Sequence, residues 1–201
     1  MQTSDLRATR IVVTEGDLPG LVASVIASEE TVRADPLAGD APVLWCPSAR
    51  SLRAVRAHGR ALGLRVLSAD PPIATGVQPG ERENHLLLQA GATALRHACP
   101  TIVWPVVPQG PAPDSPAPVE AIANIVNRAT LMSRLVSLDA GQAGIPEVRV
   151  ETPFVDLSDA QLADLACDVG ARFEDCWWWA DDSGAASVER ARWGPLLPVP
   201  G

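Results

Sequence analysis

Five short apolar runs rich in β-branched residues punctuate the chain, and each is followed by a stretch whose apolar residues recur at helical spacing. That alternation constrains the fold more than any other feature of the sequence. Residues 10–14 (RIVVT), 41–46 (APVLWC), 64–69 (LRVLSA), 101–106 (TIVWPV) and 147–153 (EVRVETP) are short, bounded by turn-formers, and read as strands, the first of them buried. Residues 17–30, 49–62, 81–98, 119–138 and 158–170 read as helices. Asp17 is placed to cap the first and Ser48 the second, with Gly63 at the residue that follows it. The last is the cleanest: Ser158 and Gln161 have the spacing of a capping box, Leu162, Leu165, Ala166 and Val169 share a face, and Gly170 ends it. Strands alternating with helices pack as a parallel sheet covered on both faces, joined by right-handed crossovers. The expected fold is therefore α/β, a doubly wound parallel five-stranded sheet. In such a sheet the ligand crevice lies beyond the carboxyl ends of the strands. The turns at 14–20, 46–49 and 69–84 are where function is to be sought.

A chain of 201 residues, 47% of them hydrophobic, suits one α/β domain. We assign residues 1–170 to it and 171–201 to a Trp-rich C-terminal tail that packs on it. The segment 105–118 holds so many prolines that it reads as a loop. The net charge of −8 argues against nucleic-acid binding, which calls for a basic face. All sixteen basic residues are Arg, so Schiff-base chemistry and a Walker-type Lys are excluded. No apolar run reaches membrane-spanning length and no secretory leader pattern opens the chain, so the expectation is a cytoplasmic protein that does not enter membranes. Cys46, Cys99, Cys167 and Cys176 form no CxxC pair and imply no disulfide framework.

The stretch from Val150 to Trp179, with Thr152, Pro153, Asp156, Leu157, Ser158, Gly170 and the Cys/Trp cluster at 176–179, resembles the C-terminal stretch of the 7-cyano-7-deazaguanine synthases, which are PP-loop ATP pyrophosphatases. Residues 78–95 resemble, more loosely, that family's segment before an apolar helix, with Arg82 and Asn84 as the nearest matches. The resemblance implies an adenine-nucleotide alpha-hydrolase-like fold. It makes Thr14, Glu15, Gly16 and Asp17 the counterpart of the nucleotide-binding loop, and Arg82, Asn84 and Asp156 the candidates for substrate or phosphate contact.

The departures from that family bear directly on chemistry. Its loop reads Ser-Gly-Gly-x-Asp-Ser, whose small residues let backbone N–H groups wrap pyrophosphate. Here the order is Thr14-Glu15-Gly16-Asp17-Leu18-Pro19: two carboxylates stand among the phosphate positions, Leu18 replaces the Asp, and Pro19 has no N–H to give. The family's tail holds a structural zinc with four cysteines. The corresponding run here is Ser183-Gly184-Ala185-Ala186-Ser187, so no metal site is expected. Trp177, Trp178 and Trp179 either replace the metal by packing or form a binding surface; packing is the preferred reading. His58, His85 and His97 lie far apart on predicted helices, Cys46 ends a strand as a buried thiol or a nucleophile, and Asp114 lies in the Pro-rich loop. Two functions follow. One is a non-catalytic pseudoenzyme that binds a small molecule, a nucleotide or a partner protein, needs no cofactor and pairs as a homodimer. The other is an active ligase of the queuosine pathway that uses ATP and Mg²⁺ through a rebuilt loop.

Overall fold

The first strand of this chain is buried along its whole length, as the centre of a parallel sheet must be. In the computed structural model, which describes residues 8–34, 41–73 and 78–198, the order of elements is β1 (Ile11–Val13), α1 (Leu18–Ala34), β2 (Val43–Cys46), α2 (Leu52–Leu62), β3 (Arg65–Ser68), α3 (Pro79–Arg96), β4 (Thr101–Val103), α4 (Val119–Ser137), β5 (Arg149–Glu151), α5 (Asp159–Asp168) and α6 (Gly184–Trp193). Part of the turn at 69–84 and the last residues of the tail lie outside the described residues. The strands form one parallel sheet in the order β3-β2-β1-β4-β5, the expected α/β, doubly wound arrangement. Alternation along each strand divides the core in two. Val12, Leu44 and Val103 point to the face covered by α1, α2, α5 and α6; Ile11, Val13, Val43, Trp45 and Ile102 point to the face covered by α3 and α4.

Local signals explain most boundaries. Ser158 and Gln161 form the expected capping box, and Gly63 and Gly170 take left-handed backbone angles where their helices end. Three details differ. Ser48 does not cap α2: its hydroxyl accepts from the Arg50 N–H at 3.2 Å in a local turn, and the helix begins after Ser51. On α5, Ala163 is fully buried beside Leu162 and Ala166, while Leu165 and Val169 are only partly covered, so the helix is rolled from its expected face. The fourth strand stops at Val103, just before Pro105, although the Trp104 N–H still donates to the Glu151 carbonyl at 2.8 Å.

The helix α6 was not expected from the sequence. Ser183 caps it, accepting from the Ala186 N–H at 3.3 Å, and the small-residue run forms its first turn. The tail enters the core rather than lying over it. Phe173, Cys176, Trp178, Trp193 and Leu197 belong to the same cluster as Leu18, Val22 and Leu162, and Trp178 and Trp193 are fully buried. One guanidinium organises the turn: Arg190 donates to the carbonyls of Trp178, Trp179 and Asp181 at 3.1, 3.3 and 2.8 Å. A second, Arg192, grips Asp159 at the start of α5 with two bonds of 2.8 and 2.6 Å and donates to the Val107 carbonyl at 3.1 Å. Trp178→Ala is expected to cost about 3–5 kcal/mol, read by urea unfolding. A chain ended after Gly170 should lose its cooperative transition altogether, because that cut removes one wall of the core.

Candidate ligand crevice

The order of strands fixes where a ligand can sit. β1 and β4 are neighbours, yet the chain leaves β1 toward one face and reaches β4 from the other, so their carboxyl ends part around a crevice. It measures about 210 Å³ and is lined by Val13, Glu15, Asp17 and Pro19 after β1, by Arg82, Glu83 and Leu86 of α3, by Trp104, Pro105, Val106 and Val107 after β4, and by Arg192.

The loop after β1 is held from three sides. The Thr14 N–H donates to the Trp45 carbonyl at 3.0 Å, and its buried hydroxyl accepts from the Gly16 N–H at 3.1 Å. Gly16 has a left-handed φ of +73°, and a Cβ there would lie 2.8 Å from that of Ala54, so conformation and space both require glycine. Its carbonyl accepts the Trp177 N–H at 2.9 Å, so the tail is bonded directly to the loop. The side chains of Thr14 and Asp17 fold back over the first turn of α1. A Cβ on Gly20 would lie 2.6 Å from Asp17 Oδ1.

Asp17 therefore occupies the place where a helix N-terminus would receive a phosphate. Burial, then the nearby Glu15 carboxylate, push its pKa up to about 7, against backbone hydrogen bonds that pull it down. Glu15 is itself paired with Arg82, which α3 projects across the crevice. The loop thus offers carboxyl oxygens where pyrophosphate needs donors, and these residues do not fit the phosphates of ATP. The zinc site fits no better. Ser183 is committed to capping α6, Cys176 is buried with its thiol pushed well above the ordinary range by desolvation, and among the described residues no three His, Cys, Asp or Glu side chains gather around a point.

Glu15, Asp17 and Arg82 line the crevice, with Thr14 and Gly16 in the same loop, but the other two candidates do not join them. Asn84 is taken up by Arg128, which also donates to the Gly80 carbonyl at 2.9 Å. Asp156 is exposed in the turn after β5 and does not line the crevice. Trp104, Leu86 and Arg192 do line it, and no motif marked them. Cys46 is no nucleophile: burial raises its thiol pKa, and its S–H donates to the Ser48 carbonyl at 3.1 Å. His58 is a core histidine, with its pKa lowered by burial and Nε2 3.1 Å from the Asp175 carbonyl. His85 is exposed on α3, and Asp114 is exposed in the Pro-rich loop.

No protein-family model and no curated protein matches the chain. The crevice is therefore read from its own residues.

The Asp17 carboxyl gives a pH test. Its folded pKa lies above the unfolded value of 3.8, so the folded state holds the extra proton between the two. Its contribution favours folding fully below about pH 4 and is lost as pH rises to about 7. Asp17→Asn should then match the parent at pH 4 and become progressively more stable than it up to neutrality, as read by denaturant midpoints along a pH series. A constant difference across the series would contradict the raised pKa of Asp17.

Proposed function

We propose that the chain is a degenerate relative of the 7-cyano-7-deazaguanine synthases, one that has left ATP chemistry and binds a small, phosphate-free ligand in the β1/β4 crevice. The observation that carries this reading is Asp17, turned back over the start of α1 into the phosphate position. A carboxyl that titrates near neutrality can accept from N–H donors in its ionised form and donate in its protonated one. Leu86, Trp104, Val106 and Val107 supply an apolar wall beside it. At about 210 Å³ the crevice is below the usual range for drug-sized ligands, which suits a single flat heterocycle such as a deazapurine base. We also read the chain as a homodimer. No helix among the described residues is long and apolar enough to cross a membrane.

The competing enzyme reading rests on Arg82 and Arg192, two cations at the same crevice, although both are held by carboxylates. Titration calorimetry separates the two. Mg-ATP is expected to bind no tighter than about millimolar, or ~4 kcal/mol, while free deazapurine bases raise the melting temperature. Micromolar Mg-ATP affinity, or pyrophosphate released in the presence of a deazapurine carboxylate, would overturn the non-catalytic reading. Glu15→Gly combined with Asp17→Ala should raise ATP affinity if charge is the obstacle. If it does not, Leu18 and Pro19 close the loop by shape.

A further inference from the structure

α4 and the residue that ends it carry five of the seven large apolar side chains exposed among the described residues, Val119 and Val126 on one flank of its outer face and Leu131, Leu135 and Leu138 toward the other. Val119, Val126, Leu131, Leu135 and Leu138 are 77, 41, 64, 49 and 78% exposed. Isolated exposed leucines are ordinary, but this many along one helix mark an interaction surface. Charge tells which partner fits. Glu120, Asn127 and Arg134 are seven residues apart and so follow one stripe down the middle of the exposed face, opposite the buried Ile125, Ala129 and Val136. Neither Glu120 nor Arg134 has an ion-pair partner among the described residues.

We infer that α4 is the interface of a two-fold homodimer, packed antiparallel on the α4 of a second copy with Asn127 beside the axis. This rests on the homodimer reading and adds its surface and register. In an antiparallel pair centred on Asn127, a residue a given number of positions after the centre lies level with the one the same number before it. Arg134 then meets the partner's Glu120, and the partner's Arg134 meets Glu120, so two charges left single in one chain become two pairs. Leu131 lies level with the partner's Ala123, a large side chain over a small one, twice. Asn127 meets its own copy and can exchange amide hydrogen bonds with it. The 19 residues of α4 span about 28 Å, enough for all these layers at the shallow crossing of about 20° common in helix bundles. A parallel pairing would set Glu120 against Glu120 and Arg134 against Arg134, so the same charges that favour this register oppose that one.

Charge reversal tests the register. Sedimentation velocity of the full chain is expected to show a dimer whose dissociation constant rises roughly tenfold or more in Glu120→Arg and in Arg134→Glu, and returns to within about threefold in the double variant. The double reversal is unfavourable for the α4 dipole itself, so restored pairing cannot come from a more stable helix. As a second readout, Asn127→Cys in a Cys167→Ser background should form a covalent dimer on mild oxidation, since the remaining cysteines are buried. A monomer at high micromolar concentration would sink both the homodimer reading and this surface. A dimer indifferent to the reversals and not cross-linked through position 127 would sink the surface and leave the homodimer standing.

Discussion

A five-stranded parallel sheet must be covered on both sides, and this chain has too few ordinary crossover helices for the task on one of them. α3 and α4 cover the first face. On the other, α1 and α2 leave an apolar gap that α5, the tryptophan segment and α6 fill, with Trp178 and Trp193 at its centre. The Arg192–Asp159 pair locks that arrangement. Its carboxylate is almost fully buried, so removing either partner would strand a charge in the interior. The rest of the molecule depends on this closure, including the shape of the crevice, because Arg192 also reaches the loop after β4.

The closure decides what the loop after β1 can do. A phosphate-binding loop works by leaving its N–H groups free and its surroundings neutral or positive. Here the Gly16 N–H is taken by Thr14, the Gly16 carbonyl by Trp177, and the helix start by Asp17. The first and the last occupy donors that a phosphate would otherwise use, and the second ties the loop to the tail. The loop is complete without a ligand, which is the physical sense in which it differs from a nucleotide cradle.

The framework was readable because periodicity is local. A strand needs only alternate burial and a helix only a repeating stripe, so β1 to β5 and α1 to α5 stand within a few residues of where RIVVT, APVLWC and their successors put them. The capping box at Ser158 is also local and was legible to the residue. Ser48 was misread because a hydroxyl three residues too early can make its own turn. α6 was hidden for a different reason: GAASVERARW has a weak stripe of its own and is held by Arg190, Arg192 and the buried Trp193, partners that only the fold brings near. The site divides the same way. Glu15, Gly16 and Asp17 are contiguous and sit at a strand end, so the loop could be found. Trp104 and Arg192 meet it from distant parts of the chain, and nothing short of the folded arrangement places them there. Asn84 and Asp156 came from resemblance alone, and the first is occupied by Arg128 while the second faces water.

The bond from the Trp177 N–H to the Gly16 carbonyl has an optical consequence. The chain has six tryptophans and no tyrosine, so its near-ultraviolet emission comes from indole alone. Trp45, Trp178 and Trp193 are sealed in the core and give a steady blue-shifted background. Trp104 forms a wall of the crevice, and Trp177 is tethered to the loop and stacked under the Arg50 guanidinium at 4.6 Å. Trp104 senses the polarity of the crevice itself, and Trp177 senses the loop to which its backbone is bonded. The protein thus carries one fluorophore in the wall of its crevice and another tied to the loop beside it, so that anything that enters the one or reshapes the other changes the colour and intensity of its light without a label being attached.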